Sequence, residues 1–171
     1  MISTLAAAET RRKWTALFLA LAMAAVVGGA LAFEHIGGYI PCKLCLEQRT
    51  PYYVGAPLML LAVIASALHW PAWMTRALLA VGGLLMLYGL GLGIFHSGVE
   101  WAWWAGPTDC GAVAGTVDTG GKGILDAIEQ FVPPSCDKAA LRILGLSLAG
   151  WNAIASLVLA VVALRVALAR D

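Results

Sequence analysis

The sequence predicts an all-α integral membrane protein, a bundle of four transmembrane helices with two loops on the outer side. Of its 171 residues, 61% are hydrophobic and 12% are charged, whereas soluble domains have roughly 45–50% and 25%. The mean hydropathy is +0.83. A chain of this size cannot bury so much apolar surface in water, and a net charge of +1 is too small to bind nucleic-acid phosphates. We therefore exclude an ordinary soluble enzyme, a disordered chain and a nucleic-acid binder.

Four uncharged runs of 19 to 22 residues supply the four spans. At about 1.5 Å per residue, each run crosses a hydrocarbon core of roughly 30 Å, and backbone groups in lipid must pair within a helix. We predict one membrane domain over residues 1–171, with spans at 14–33, 50–68, 77–95 and 143–164 and outer loops at 34–49 and 96–142. A cleaved signal peptide is the alternative for the first run, but that run exceeds the usual apolar core of about 7–15 residues.

Lysine and arginine residues predict the orientation, because cytoplasmic segments of membrane proteins carry an excess of positive charge. The segments that share one side of the membrane contain Arg11, Arg12, Lys13, Arg76, Arg165 and Arg170. The longer loop on the other side carries more acids than bases. We therefore expect both termini in the cytoplasm and both loops outside. In a bacterium this is a multi-pass protein of the inner membrane with periplasmic loops.

Small and polar residues in the spans predict how the helices pack. Gly89 and Gly93 have the GxxxG spacing that lets helix backbones approach closely. Dimerisation is one use of this motif, but the other spans also carry small residues, so we expect packing inside one bundle. Asn152 in the fourth span predicts a hydrogen bond between helices. Aromatic belts are predicted at the two membrane surfaces, with Trp101, Trp103, Trp104, Tyr52 and Tyr53 outside and Trp70 and Trp73 inside.

All four cysteines fall in the predicted outer loops, Cys42 and Cys45 in the first and Cys110 and Cys136 in the second. An even number of cysteines on an oxidising side of the membrane indicates thiol–disulfide chemistry. Two other interpretations remain open, namely fixed disulfides that staple the loops and a zinc site of four thiolates. Zinc sites usually present two close cysteine pairs. Because Cys110 and Cys136 are 26 residues apart, we expect no metal site.

The first cysteine pair lies in the segment Pro41-Cys42-Lys43-Leu44-Cys45, directly before the second span. Proline is favoured in the first turn of a helix, so we expect a helix that starts at Pro41. Cys42 would then lie close to free backbone amides, which lower the pKa of a thiol. Cys42, Cys45 and Arg49 would share one face of this helix, which predicts a site that combines two thiols with a cation.

Arg49 would lie at the mouth of the second span, where a permanent charge is costly unless it is paired. It is a candidate for stabilising a Cys45 thiolate or an oxygen atom of a reducible ligand. The alternatives are a side chain that extends to the membrane surface and a pair with Glu47. Thr50 and Pro51 also have the pattern of a new helix start. A break there would make the common face of Cys42, Cys45 and Arg49 less well defined.

The second cysteine pair lies in loop sequence rich in glycine and proline. Between its members, Ile124, Ile128 and Phe131 recur at helical spacing, which predicts a short helix on the membrane surface or an ordinary loop helix. A flexible connection of this length would let Cys110 meet an external protein while Cys136 approaches the first pair.

In their order along the chain, these features resemble the DsbB family of membrane disulfide-generating proteins. The resemblance covers nearly the whole chain. It comprises the four spans, Pro-Cys-x-x-Cys before the second span with Arg49 four residues on, the cysteine pair of the second outer loop, and Leu144-Gly145-Leu146 leading to Trp151. The long glycine-rich insert between Cys110 and Cys136 departs from the family pattern.

The resemblance implies an enzyme that reoxidises a soluble periplasmic thioredoxin-fold oxidase of the DsbA type and passes two electrons to a membrane quinone. It implies that Cys110 forms the mixed disulfide with this partner. It further implies that Cys136 resolves the mixed disulfide and exchanges with Cys42, which forms the inner pair with Cys45. The cofactor would be ubiquinone or menaquinone.

The same resemblance implies three residues of the quinone site. Cys45 would face the quinone because it lies next to the second span, and Arg49 would support the site. His96, at the outer end of the third span, is similar to a histidine close to the quinone in the family. A lone histidine is as often a packing residue.

Two other functions fit the residues. A thiol oxidoreductase of the vitamin K epoxide reductase type is also linked to quinones and has a similar bundle, but it usually carries its CxxC motif late in the chain. A non-enzymatic four-span protein with stapled outer loops fits the cysteine count. Trapping of a mixed disulfide with a soluble partner separates an enzyme from a staple.

Overall fold

The computed structural model describes residues 2–108, 110 and 135–169. Within them lie four helices, each long and apolar enough to cross a membrane. They are α1 (Ile2–His35), α2 (Lys43–Ala67), α3 (Ala72–Glu100) and α4 (Leu148–Leu168). A two-stranded antiparallel hairpin, β1 (Arg142–Ile143) and β2 (Leu146–Ser147), precedes α4. The predicted four-helix membrane bundle is thereby confirmed.

The second helix begins well before its predicted span. It begins at Lys43 rather than Thr50 and continues through Pro51 and Pro57, so the helix start predicted at Thr50 is wrong. Proline is tolerated inside membrane helices because neighbouring helices compensate for the lost backbone hydrogen bond. Pro51 is fully buried, and a Cβ built on Gly89 of α3 would lie 3.6 Å from its Cγ. The unbroken helix keeps residues 43–49 in register with the span.

The third and fourth helices also depart from the predicted bounds. Helix α3 continues to Glu100, so His96 belongs to its last turns and not to the outer loop. Helix α4 begins at Leu148 and not at residue 143, because Leu144 and Gly145 form a tight turn with φ values of 52° and 84°. Consecutive positive φ values are typical of two-residue hairpins and favour glycine. A prediction from the uncharged run alone therefore placed the outer end of this span too early in the chain.

Glycine residues of α3 set its close packing against α4, which is the most extensive helix contact of the bundle. A Cβ on Gly93 would lie 2.9 Å from the backbone nitrogen of Ala153, and one on Gly89 would lie 3.1 Å from Ser156 Oγ. A larger residue would force the two helices apart. The GxxxG motif thus packs inside the bundle, as expected.

The centre of the bundle is an apolar core to which all four helices contribute, with Leu19, Met23, Tyr52, Met59, Leu79, Met86 and Leu159 among its members. Many large apolar side chains, including Trp14, Phe18 and Leu84, are exposed instead, as expected of helices surrounded by lipid. Trp73, Trp101 and Trp103 are exposed, and their place in the aromatic belts stays a prediction. Tyr52 is only 1% exposed, so its predicted place in the outer belt is wrong.

The predicted helix around Ile124 and Phe131 lies outside the described residues. The cysteines on either side of that segment, Cys110 and Cys136, are both described. Both cysteines lie beside the first turn of α2, so these two parts of the second loop are next to the start of that helix.

Candidate functional site

The four cysteines lie together in one cluster where α2 begins. Cys110 and Cys136 are joined by a disulfide, whereas Cys42 and Cys45 are free. The Sγ atoms of Cys42 and Cys136 and a ring nitrogen of His96 all lie within 4.8 Å of one another. Cys42 and Cys136 are buried, while Cys45 and Cys110 are partly exposed. The two pairs are therefore close enough for disulfide exchange after a small movement.

Cys42 is the N-cap of α2, and its Sγ accepts a hydrogen bond from the backbone amide of Cys45 at 3.3 Å. The Sγ atoms of the two residues are 2.9 Å apart, and His96 Nε2 is 3.8 Å from Cys42 Sγ. The hydrogen bond from the Cys45 thiol, with help from His96, lowers the pKa of Cys42 from 9.0 to about 4 against the opposing effect of burial. The helix begins two residues after Pro41, its predicted first residue. The Cys42 thiol still contacts the free backbone amides of the first helical turn, as predicted.

We expect the Cys45→Ala variant to titrate Cys42 at a higher pH than the Cys45→Ser variant does. Serine keeps a hydroxyl donor in place of the Cys45 thiol, whereas alanine has no donor. Without the donor the pKa of Cys42 rises, so on acidification the Cys42 thiolate of the alanine variant is protonated at a higher pH. A hydrogen bond to a charged group is worth about one pH unit or more. The rate at which methyl methanethiosulfonate modifies Cys42, measured from pH 4 to 9, reports the midpoint. Coincident midpoints would show that this hydrogen bond does not set the Cys42 pKa.

A chain of hydrogen bonds leads from α4 through α2 to His96. The Tyr52 hydroxyl donates to Asn152 Oδ1, and Asn152 Nδ2 donates to Gln48 Oε1, both at 2.7 Å. Gln48 Nε2 lies 2.6 Å from His96 Nδ1. This chain confirms the hydrogen bond between helices predicted for Asn152. Gln48 was not a candidate from the sequence, although an amide side chain one turn after Cys45, at the start of the second span, was the available signal.

Glu100 is a second site residue that was not a candidate from the sequence. It lies one turn beyond His96, its side chain is 4% exposed, and its Oε1 is 3.8 Å from His96 Nε2. Among the described residues, no hydrogen-bond partner contacts its Oε2. The i, i+4 spacing of an acid and a histidine was the available signal. A buried carboxyl group thus borders the histidine that contacts Cys42.

Arg49 lies one turn along α2 from Cys45 and forms an ion pair with Glu34 near the end of α1. Its second terminal nitrogen lies 3.5 Å from the carbonyl oxygen of Ala30, and its side chain is 11% exposed. The partner is therefore Glu34 and not Glu47, the partner considered from the sequence. Opposite charges at adjoining ends of successive spans were the signal for this pair, which offsets the cost of burying the cation.

Two kinds of ligand can be compared with the residues present, a metal ion and a quinone. Cys42, His96 and Cys136 could hold a metal ion, but Cys136 offers no thiolate while it is bonded to Cys110. A quinone is an apolar ring with carbonyl oxygens, so it needs N–H donors beside a thiol at the membrane edge. Arg49, which Glu34 holds in place, provides such donors one turn from the partly exposed Cys45.

Comparisons with known proteins identify relatives over most of the chain. A family model described as disulfide bond formation protein DsbB matches residues 12–166. Disulfide bond formation protein B of Aromatoleum aromaticum is 32% identical over 156 residues, which cover 87% of this chain and 89% of the relative. Disulfide bond formation protein B of Ralstonia nicotianae is 42% identical over 85 residues, which cover 48% and 47% of the two chains. No solved structure gives a significant match.

Proposed function

The chain belongs to the DsbB family of disulfide bond formation proteins, and on this premise we propose that it reoxidises a DsbA-type oxidase and passes the electrons to a membrane quinone. Family membership and the four apolar helices make it a disulfide-forming oxidoreductase of the membrane. The observation that carries the finer proposal is the contact between the bonded pair Cys110–Cys136 and the free dithiol Cys42/Cys45. A vitamin K epoxide reductase type of protein is not supported by these relatives.

We assign the cysteine cluster to the periplasmic side and both termini to the cytoplasm, in the bacterial inner membrane. The excess of lysine and arginine in the other segments supports this orientation. The whole chain then acts as one membrane domain. A soluble partner would reach the cluster from the periplasm through the partly exposed Cys110.

The outer pair reacts first. A thiolate of the reduced partner attacks Cys110 Sγ, a mixed disulfide forms, and Cys136 leaves as a thiolate. The partner's second thiolate then displaces Cys110 and carries away the new disulfide. Two electrons and the outer dithiol remain on the chain. The partial exposure of Cys110 and the burial of Cys136 support these different roles.

The inner pair reacts next. Starting from a Cys42–Cys45 disulfide, the Cys136 thiolate attacks Cys42 Sγ, and Cys45 leaves as a thiolate. The Cys110 thiolate then attacks Cys136, which restores the outer disulfide and releases Cys42 as a thiolate. The outer pair bonded and the inner pair free is the state that follows this exchange, and it is the state of the described cysteines.

The inner dithiol must then lose two electrons and two protons, and a ubiquinone or menaquinone, when bound, would accept them. Cys45 reacts at the membrane edge, and its proton can move to the Cys42 sulfur 2.9 Å away. Arg49 would hold the acceptor through its N–H groups, with Glu34 keeping the guanidinium in position. His96 borders the inner pair and belongs to the same site in this proposal.

We expect Arg49→Ala to raise the apparent KM for quinone about tenfold or more, because a charge-assisted hydrogen bond is lost. Anaerobic steady-state reduction of ubiquinone at a fixed concentration of the reduced partner measures this. Glu34→Gln is the matched variant, since its amide oxygen still accepts a hydrogen bond from Arg49, and it should raise KM less. An unchanged KM in Arg49→Ala would remove Arg49 from the quinone site.

The proposal as a whole is tested by anaerobic quinone reduction with the purified protein and reduced DsbA. Turnover with ubiquinone or menaquinone is the expected result. Absence of turnover with both quinones, beside an active control enzyme, would favour either a dedicated thiol partner or the stapled-loop alternative. Screening periplasmic thioredoxin-fold proteins as electron donors separates these two outcomes.

A further inference from the structure

The hydrogen bonds behind His96 have a single consistent direction. Tyr52 has one hydroxyl proton and donates it to Asn152 Oδ1. The Ser156 hydroxyl, 2.7 Å from Tyr52, must therefore be the donor in that contact. Asn152 directs its amide group to Gln48 Oε1, so the Gln48 oxygen is already an acceptor. Gln48 consequently faces His96 with its NH₂ group.

Both protons of the Gln48 amide have acceptors. Gln48 Nε2 lies 3.3 Å from the carbonyl oxygen of Leu44, the residue one turn earlier in α2. It also lies 2.6 Å from His96 Nδ1. Because Nδ1 accepts a hydrogen bond from Gln48, a neutral ring must carry its own proton on Nε2. That nitrogen is 3.8 Å from Cys42 Sγ and 3.8 Å from Glu100 Oε1.

We propose that Gln48 is a positioning residue that selects the His96 tautomer whose Nε2–H faces Cys42, so that this N–H stabilises Cys42 as the leaving thiolate. The role rests on the proposed function. In the step concerned, the Cys110 thiolate attacks Cys136 in a Cys42–Cys136 disulfide. The Cys110–Cys136 bond forms, the Cys42–Cys136 bond breaks, and Cys42 keeps the electron pair. His96 retains its proton and contributes only a hydrogen bond.

The geometry explains why a glutamine is useful at this position. An imidazole free to exchange tautomers would present a bare lone pair to the thiolate for part of the time, which repels the charge. The amide cannot reverse without losing the contacts to Leu44 and Asn152. Buried polar groups without partners cost about 1–3 kcal/mol, which holds the chain in one direction.

Several titratable groups surround the Nε2–H that this role requires. Cys42 and Cys45 approach from the first turn of α2, Glu100 approaches from α3, and the Cys110–Cys136 disulfide approaches from the second loop. Glu100 Oε1 lies as far from His96 Nε2 as Cys42 Sγ does, 3.8 Å, and is a second possible acceptor of the same N–H. Because Gln48 selects the tautomer at the other ring nitrogen, Nδ1, we expect Glu100→Gln to leave the tautomer of His96 unchanged.

The tautomer is tested first on the wild-type chain. Nitrogen-15 chemical shifts of the histidine rings, recorded on the full-length protein in lipid nanodiscs, distinguish a protonated nitrogen from a bare one. The chain has three histidines, and the variants His35→Gln and His69→Gln assign the His96 signals by elimination. A neutral His96 ring with the proton on Nε2 is the expected result. A proton on Nδ1 would overturn the proposal without any variant.

The positioning role is tested with Gln48→Met in a Cys45→Ser background, where Cys42 is the free thiol. Methionine fills a similar volume but donates no hydrogen bond. We expect His96 to populate both tautomers and the midpoint for modification of Cys42 by methyl methanethiosulfonate to rise by about one pH unit. Ser156→Ala is the control, because it leaves every donor from Tyr52 to Gln48 in place, and neither readout should change.

An unchanged tautomer and midpoint in Gln48→Met would overturn the positioning role. The same shift in Ser156→Ala would also contradict the positioning role of Gln48. A general loosening of the helix packing would then explain the results of both variants. Neither measurement contains a quinone or a protein partner. Failure here therefore leaves the proposed electron relay standing, and failure of quinone turnover leaves the tautomer result standing.

Discussion

Replacing Cys45 by serine is expected to abolish quinone reduction, with a fall of about 10³-fold or more to the uncatalysed rate. Serine cannot form the Cys42–Cys45 disulfide, and its hydroxyl cannot deliver electrons. The contact that links the inner pair, 2.9 Å between the Sγ atoms, is lost with the sulfur. The measurement is anaerobic loss of ubiquinone absorbance with reduced DsbA as the electron donor.

Leu46→Ser is the matched control for this result. It introduces the same hydroxyl at the next position of α2 without removing a cysteine, and most of the turnover should remain. Turnover that survived in Cys45→Ser would take Cys45 off the electron path. Equal loss in both variants would attribute the effect to disturbance of the first turn of α2 and contradict the specific role of the thiol.

Replacing Cys136 by serine is expected to accumulate a mixed disulfide between Cys110 and a small soluble partner. In this variant the Cys110 thiolate attacks the disulfide of the oxidised partner, the new bond forms, and the partner's second sulfur leaves as a thiolate. The wild-type Cys136, which is bonded to Cys110 in the described structure, would displace the partner again. A non-reducing gel of membranes should show a band that is absent from the wild type and disappears on reduction.

The double variant Cys110→Ser/Cys136→Ser controls for nonspecific adducts and should give no such band. Mass spectrometry of the excised band identifies the partner and the bonded cysteine. Absence of the adduct in cells that contain DsbA would contradict the partner assignment. An adduct through Cys42 in place of Cys110 would contradict the proposed order of the relay.

The main features of the fold were predictable because they depend on composition along the chain. Four uncharged runs predict four spans, and the structure has four helices of sufficient length and hydropathy. The ends were less predictable, since local geometry decides them. Helix α2 begins before its uncharged run because Cys42 caps it, and α4 begins after residue 143 because Leu144 and Gly145 turn first.

The candidate site was predictable only in part. The cysteines, Arg49 and His96 could be proposed from motif order, because their residue types and spacing carry the chemistry. The contacts among them could not, because Gln48, Glu100 and Glu34 are ordinary polar residues until their neighbours are known. Tyr52 shows the same limit, since a tyrosine near a span end suits a membrane belt as well as a buried hydrogen bond.

By itself, the sequence determined the number of spans, the membrane environment, the grouping of the cysteines in two pairs and the family to which the chain belongs. Only the tertiary structure decided that Cys42 contacts His96, that Arg49 pairs with Glu34 and that Gln48 joins Asn152 to His96. The physical reason is the rotation of each helix about its axis. Lipid and bundle interior are both apolar, so hydrophobic periodicity does not mark the inner face of a span. Close glycine packing and buried hydrogen bonds fix that rotation, and they exist only once the helices are assembled.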